Sequence, residues 1–184
     1  TSDGSLEPPE QTEGLMRHRR DTSSEEVLSL GQLLDGNPMT TPAVVLVSAG
    51  LRATDRFDPA LTHMEDYDLW LRIAEHFDLA NLPEVILDYT AGGLQESIIK
   101  AEQQVLSTVA ARHCHLKRLA GEEDPSDGLE SPVSRQWLVR RGFHEEELDD
   151  RVLADLEHRS WWFARNTMTA EAKVLARGIR TLSV

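Results

Sequence analysis

Three carboxylates crowd the start of the run Met64-Glu65-Asp66-Tyr67-Asp68-Leu69-Trp70-Leu71-Arg72. At the mouth of an amphipathic helix a carboxylate is held rigidly and opens onto solvent, where it can take a proton from an attacking hydroxyl. The same acids suit the positive end of a helix dipole, worth ~0.3–1 kcal/mol each, so position alone does not separate catalysis from helix stabilisation. Asp68 and Arg72 stand one turn apart and are expected to form an exposed pair of ~0.3–0.5 kcal/mol. Trp70 reads as core in preference to a sugar-stacking platform. In His113-Cys114-His115, consecutive helix residues point about 100° apart and do not converge on a metal as ligands one turn apart do. Trp161-Trp162-Phe163 reads as a cluster that packs its helix onto a neighbour, with a carbohydrate or partner-protein surface as the alternative. The sequence has no Gly-rich phosphate loop, nucleophile elbow or zinc-finger spacing.

These residues need elements to position them. Residues 1–11, rich in Ser, Gly, Pro and Glu, read as a loop. Residues 23–36 read as a short amphipathic helix, with Ser24 as cap and Val27, Leu28, Leu30, Leu33 and Leu34 at helical spacing. The β-branched run Ala43-Val44-Val45-Leu46-Val47 predicts a strand buried on both faces. Thr62-His63-Met64-Glu65 has capping-box spacing ahead of a helix ending near His76. Val85-Ile86-Leu87-Asp88-Tyr89 predicts a second strand. A long helix is expected over residues 96–119, closed by Gly121. A Pro/Gly/acidic linker over residues 122–132 should follow, then helices over 133–141, 145–165 and 169–179. The reading is α/β in the first half and helical in the second.

Composition narrows the partners. Lys and Arg number 19 against 32 Asp and Glu, a net charge of −13 over 184 residues. That field repels nucleic acid and anionic membranes, so no nucleic-acid partner is expected. The basic run Arg17-His18-Arg19-Arg20 is followed by acids and reads as a solvated loop. One cysteine, Cys114, rules out an intrachain disulfide framework and fits a reducing, cytoplasmic compartment. No apolar run reaches the ~18 residues of a spanning helix, so no integral membrane segment is expected. A start at Thr1 suits a segment of something longer.

Several of these motifs fall in one order: Leu33-Leu34-Asp35-Gly36-Asn37-Pro38, the apolar run, Arg56-Phe57-Asp58-Pro59, Glu65-Asp66-Tyr67-Asp68-Leu69-Trp70-Leu71-Arg72, and Asn81-Leu82-Pro83-Glu84-Val85-Ile86-Leu87-Asp88-Tyr89. Over residues 32–104 this order resembles the acceptor-side, C-terminal part of inverting family 2 glycosyltransferases of the GT-A type. Ser2-Asp3-Gly4 looks like the Asp-Gly turn that follows the metal-binding strand in that family. The resemblance implies an α/β fold, a partial GT-A domain over residues 1–104, with a helical extension over 105–184. It implies transfer of a sugar from a nucleotide-sugar donor to a saccharide or lipid-linked acceptor with inversion. Asp66 would be the catalytic base and Glu65 its understudy, while Asn37, Asp68 and Tyr89 would contact substrate. A divalent Mg or Mn is implied by the family only, since no ligands for it are identified in this chain.

The departures from the family pattern are the nucleotide-binding N-terminal half and its Asp-x-Asp, both lacking here, so these residues alone are expected to be inactive. Asp66-Tyr67-Asp68 fits the three-letter pattern but sits in the acceptor-helix register. Where many relatives carry Tyr-Arg-x-His, this chain has Tyr89-Thr90-Ala91-Gly92-Gly93. The competing expectation is a non-catalytic remnant or a helical interaction module.

Overall fold

The computed structural model describes residues 15–17, 26–54, 56–82, 88–90, 100–129, 131–165 and 169–182. Its strands are short: β1 (Leu15–Arg17), β2 (Glu26–Val27), β3 (Ala80–Asn81) and β4 (Asp88–Thr90). β1 pairs antiparallel with β4, placing Met16 opposite Tyr89, and β2 pairs antiparallel with β3. The remaining elements are helices: α1 (Leu30–Asp35), α2 (Ser48–Ala53), α3 (Glu65–Ala74), α4 (Ala101–Leu119), α5 (Arg135–Val139), α6 (Glu145–Arg165) and α7 (Thr169–Leu182).

This arrangement corrects the α/β expectation of a partial GT-A domain. The described residues are mostly helical, and the two strand pairs stay separate two-stranded ladders, not a central sheet. The decisive segment is Ala43-Val44-Val45-Leu46-Val47. Its entry, Thr41–Ala43, closes as a 3-10 turn with Pro42 at the start, and proline has no N–H to give a ladder. Val45 is 94 % and Val47 69 % exposed. A β-prone sequence becomes a buried strand only when neighbours occupy both edges, and among the described residues this run has none.

Local signals were also displaced. The helix expected over 23–36 begins at Leu30, because Ser29 and not Ser24 forms the capping box: Gln32 N–H donates to Ser29 Oγ at 3.3 Å and Ser29 N–H to Gln32 Oε1 at 2.8 Å. No side-chain cap opens α3. Thr62 Oγ donates instead to the Pro59 carbonyl at 3.0 Å, and His63 takes a left-handed φ of 68°, so the expected box at Thr62 does not form. Residues 85–87 of the second expected strand, and residues 96–99 at the start of the long helix expected over 96–119, lie outside the described residues. α4 ends where Gly121 adopts φ 74°, a conformation open to glycine without a Cβ penalty.

α3 is the axis of packing. Tyr67, Asp68, Leu69, Trp70, Leu71 and Ile73 are all buried, leaving this short helix enclosed on almost every side. α4 lies against α3 on one flank and α6 on the other, and α7 runs along α6. The core is continuous from Leu28 to Leu175, crossing position 104 without a break. Residues 120–133 are fastened into it: Val133 N–H donates to the Ala60 carbonyl at 2.9 Å, and Gln103 Nε2 donates to the Val133 carbonyl at 2.9 Å.

Tyr67 binds three helices together. Its hydroxyl donates to the Leu33 carbonyl at the end of α1 and accepts from Arg112 Nε of α4 at 3.0 Å. Burial, partly offset by Arg112, holds the phenol pKa above its ordinary value, so the hydroxyl stays a donor. Tyr67→Phe strands a buried carbonyl and a guanidinium N–H together and should cost ~1–3 kcal/mol. Urea unfolding reads this as a lower midpoint at unchanged slope; an unchanged midpoint removes the hydroxyl from the account of stability.

Candidate functional site

The first turn of α3 opens into a cleft of about 340 Å³ lined by Thr41, Phe57, His63, Glu65 and Asp66. Its walls come from three pieces of chain. Thr41 begins the 3-10 turn before the exposed valines, Phe57 precedes the turn Pro59–Leu61, and His63 to Asp66 form the entry to α3. Arg56 and His63, with φ 68° each, are the non-glycine residues of positive φ among those described. They bracket the loop that carries Phe57. Such strain persists where surrounding contacts over-determine it. Asp58 caps the intervening turn by accepting from Ala60 N–H at 2.9 Å, and Arg72 donates to the Arg56 carbonyl.

Asp66 is held at both oxygens. Thr41 Oγ1 donates to Oδ2, and the Tyr67 N–H donates to Oδ1 at 2.6 Å. Glu65 Oε2 is buried with no hydrogen-bond partner. Two carboxylates therefore share one small opening at a helix N-terminus, one oriented by donors and one with an unused acceptor. Chemically, this arrangement can accept a proton from a hydroxyl and hydrogen-bond a polyol.

The other expected site residues lie elsewhere. Asn37 does not line the cleft; its Oδ1 accepts from Met39 N–H at 3.1 Å and shapes a turn after α1. Tyr89 stands in β4 opposite Met16. Asp68 forms its pair with Arg72 at 2.8 Å, but the pair is largely internal, with Asp68 1 % and Arg72 13 % exposed. Because Asp66 faces the cleft while Asp68 is buried against Arg72, the Asp66-Tyr67-Asp68 triplet does not present two carboxylates to one cation. Among the described residues no group of three or more His, Cys, Asp or Glu side chains is placed to hold a metal. Among the described residues, then, no donor set is assembled for the Mg or Mn that the resemblance implies.

The chain matches no protein-family model, no curated protein and no solved structure. The glycosyltransferase likeness therefore rests on the order of its own motifs. Thr41, Phe57 and His63 were the members of the cleft missed in sequence. Phe57 and His63 sit inside the Arg56–Pro59 and Thr62–Glu65 motifs, but nothing in their spacing shows that they share a wall with Thr41, more than fifteen positions upstream of either. No helix among the described residues is long and apolar enough to cross a membrane.

A larger hollow of about 510 Å³ adjoins the Glu65–Asp66 cleft, sharing Phe57 with it, and is lined among others by Arg72, Glu75, Arg118 and Asp124. Its charges are largely spent on one another. Arg118 Nε donates to Glu75 Oε1 at 2.8 Å, a second guanidinium N–H reaches Asp124, and His115 Nδ1 meets the same Glu75 oxygen at 2.8 Å. Burial pushes the Asp68 carboxyl above its ordinary value, although Arg72 and Arg118 pull the other way. Burial also opposes ionisation of Asp124, but the Ser126 N–H and Arg118 outweigh it and hold that carboxyl below 3.8. The His-Cys-His triplet diverges as helix geometry requires. His113 meets the Phe143 ring edge-on at 5.3 Å, His115 turns to Glu75, and Cys114 is fully buried.

Two outcomes follow from this electrostatics. Burial, with Asp124 close by, pushes the Cys114 thiol up to about 12, so it should resist alkylation at pH 8 in the native protein and react only as the chain unfolds. Fast labelling without denaturant contradicts that. Asp124, with its folded pKa below the unfolded value, adds stability above about pH 4 that disappears as the pH falls through the folded pKa. Asp68, with its folded pKa raised, has the opposite sign and subtracts stability as the pH climbs past about 4. Asp124→Asn should thus lower stability at pH 7 and shrink the loss between pH 5 and 3. Urea midpoints measured across that range decide it; parallel profiles for variant and wild type refute the assignment.

Proposed function

We propose that the Glu65–Asp66 cleft is the acceptor side of a sugar-transfer site. In this reading Asp66 takes the proton from a hydroxyl of a saccharide or lipid-linked saccharide while a nucleotide diphosphate leaves the donor sugar from the opposite face, with inversion. The observation that carries it is the two-point hold on Asp66 by Thr41 and the Tyr67 N–H. Each carboxylate oxygen keeps a further acceptor site for an incoming O–H, and a base fixed in this way needs little reorganisation at the moment of transfer. One base suffices for inversion, since no covalent intermediate forms. Phe57, about half exposed at the cleft wall, offers an apolar face for the C–H side of a sugar ring. Glu65, with its unused buried oxygen, would hold a neighbouring acceptor hydroxyl.

The choice of sugar transfer over other hydroxyl chemistry is supported by the motif order across residues 32–104. The groups that bind the nucleotide-sugar donor are taken to lie beyond the residues described, and the chain by itself is taken to be inactive. A cytoplasmic setting goes with this reading, supported by the single thiol.

The rival reading is a helical interaction module. It is favoured by Trp161, which is 57 % exposed on α6 with the Arg165 guanidinium 5.3 Å from its ring centroid, a residue type that anchors interfaces. The two readings separate on paired variants of the protein that carries this chain. Asp66→Asn should lower turnover of nucleotide-sugar donors by ~10²–10⁴-fold with an unchanged unfolding midpoint, whereas Trp161→Ala should leave turnover intact. Indifference to Asp66→Asn would sink the catalytic reading.

A further inference from the structure

At the opposite end of α3 from Asp66, α1, the end of α3 and the C-terminal part of α4 enclose a small cleft of about 140 Å³. Its lining is apolar, five leucines with Ala74 and Phe77, and two polar residues join them, exposed Asp78 and buried His115. Leu30 and Leu119, 44 % and 51 % exposed, stand at its mouth, while Leu33 and His115 at 2 % and 1 % form its depth. An apolar cavity of about 150 Å³ is large enough for a benzene ring.

The histidine makes this more than a packing gap. Its Nδ1 is engaged with Glu75 Oε1, the oxygen that also accepts from Arg118 Nε. A carboxylate held by a guanidinium accepts only, so the proton on that contact belongs to Nδ1. In the neutral ring Nε2 is then a bare lone pair. Nε2 is buried and has no hydrogen-bond partner, an omission that costs a buried polar atom unless something fills it. Glu75 lines the large hollow, whereas His115 lines the small cleft. With Nδ1 turned to Glu75, Nε2 points away from that carboxylate and is the ring nitrogen left to serve the small cleft.

We propose that this cleft binds a small free phenol, or an alcohol of like size and apolarity, with its ring among the leucines and its O–H donated to His115 Nε2. The ligand class follows from three constraints: a volume for about one ring, an apolar wall, and a single acceptor at the closed end. A charged ligand would lose its hydration against leucines, and a molecule without a donor would leave Nε2 unsatisfied. This site shares no residue with the Glu65–Asp66 cleft, so it stands whether or not the sugar-transfer reading does.

The test is a titration of the native protein with phenol and, separately, with anisole, which has the same ring and no O–H, following the His115 ring nitrogens by NMR. Phenol should shift the Nε2 resonance saturably, and anisole should bind about tenfold more weakly or not at all. Ala74→Met, at a half-buried position, fills the cleft without touching His115 and should abolish the phenol shift while the unfolding midpoint stays within that of the parent. The proposal is overturned by equal binding of phenol and anisole, by no saturable shift up to the solubility of phenol, or by phenol binding that survives Ala74→Met.

Discussion

Enclosure of α3 governs the geometry of everything around it. Six of the helix's ten residues are buried, with Leu69 and Leu71 at 0 % exposure and Trp70 at 1 %. Each fully buried large apolar side chain is worth roughly 1.5–3 kcal/mol against the exposed state. The Tyr67 hydroxyl adds direction, tying the helix to the last turn of α1 and to the middle of α4. A helix fixed in rotation about its axis also fixes what its first turn presents. Glu65 and Asp66 face the cleft because Tyr67 and Trp70 cannot face anywhere but the core.

The same enclosure explains the electrostatics. Asp68 falls on the buried side of the helix, where an isolated carboxylate would be costly, and it is matched by Arg72 and, at 4.0 Å, by Arg118. Arg118 in turn joins Glu75 and Asp124, drawing the acidic segment after α4 back onto the core. Networks of this kind contribute little net stability compared with apolar packing, but breaking one partner leaves another charge buried and alone. They fix arrangement more than they add free energy. Here they turn a Pro/Gly/acidic stretch, which composition marks as a linker, into a clasp between α4 and α5.

The two clefts at the ends of α3 differ in kind. One is open and acidic, with a carboxylate oriented by donors; the other is narrow and apolar, with one imidazole acceptor at its base. Each holds a buried polar atom without a hydrogen-bond partner: Glu65 Oε2 from the first turn of α3 in one, His115 Nε2 from α4 in the other. A buried polar atom left without a partner is costly, and a ligand that supplies the missing hydrogen bond removes that cost.

By itself the sequence determined what is local. The 3.6-residue periodicity of α3, α4, α6 and α7, the glycine that ends α4, the core role of Trp70 and the divergence of His113, Cys114 and His115 all depend on neighbours within a turn or two. Glu65 and Asp66 were legible as a pair for the same reason, since adjacent residues in a helix's first turn must emerge together. Pairing and burial were decided only in three dimensions. Whether Ala43–Val47 becomes a strand depends on edges supplied by distant chain, whether Ser24 or Ser29 caps α1 depends on which phase buries Leu33, and whether Asp68 meets solvent or Arg118 depends on where α4 docks. Thr41, Phe57 and His63 converge on Asp66 through three separate loops, a meeting that no periodicity encodes because loop paths are set by the packing of the helices they connect.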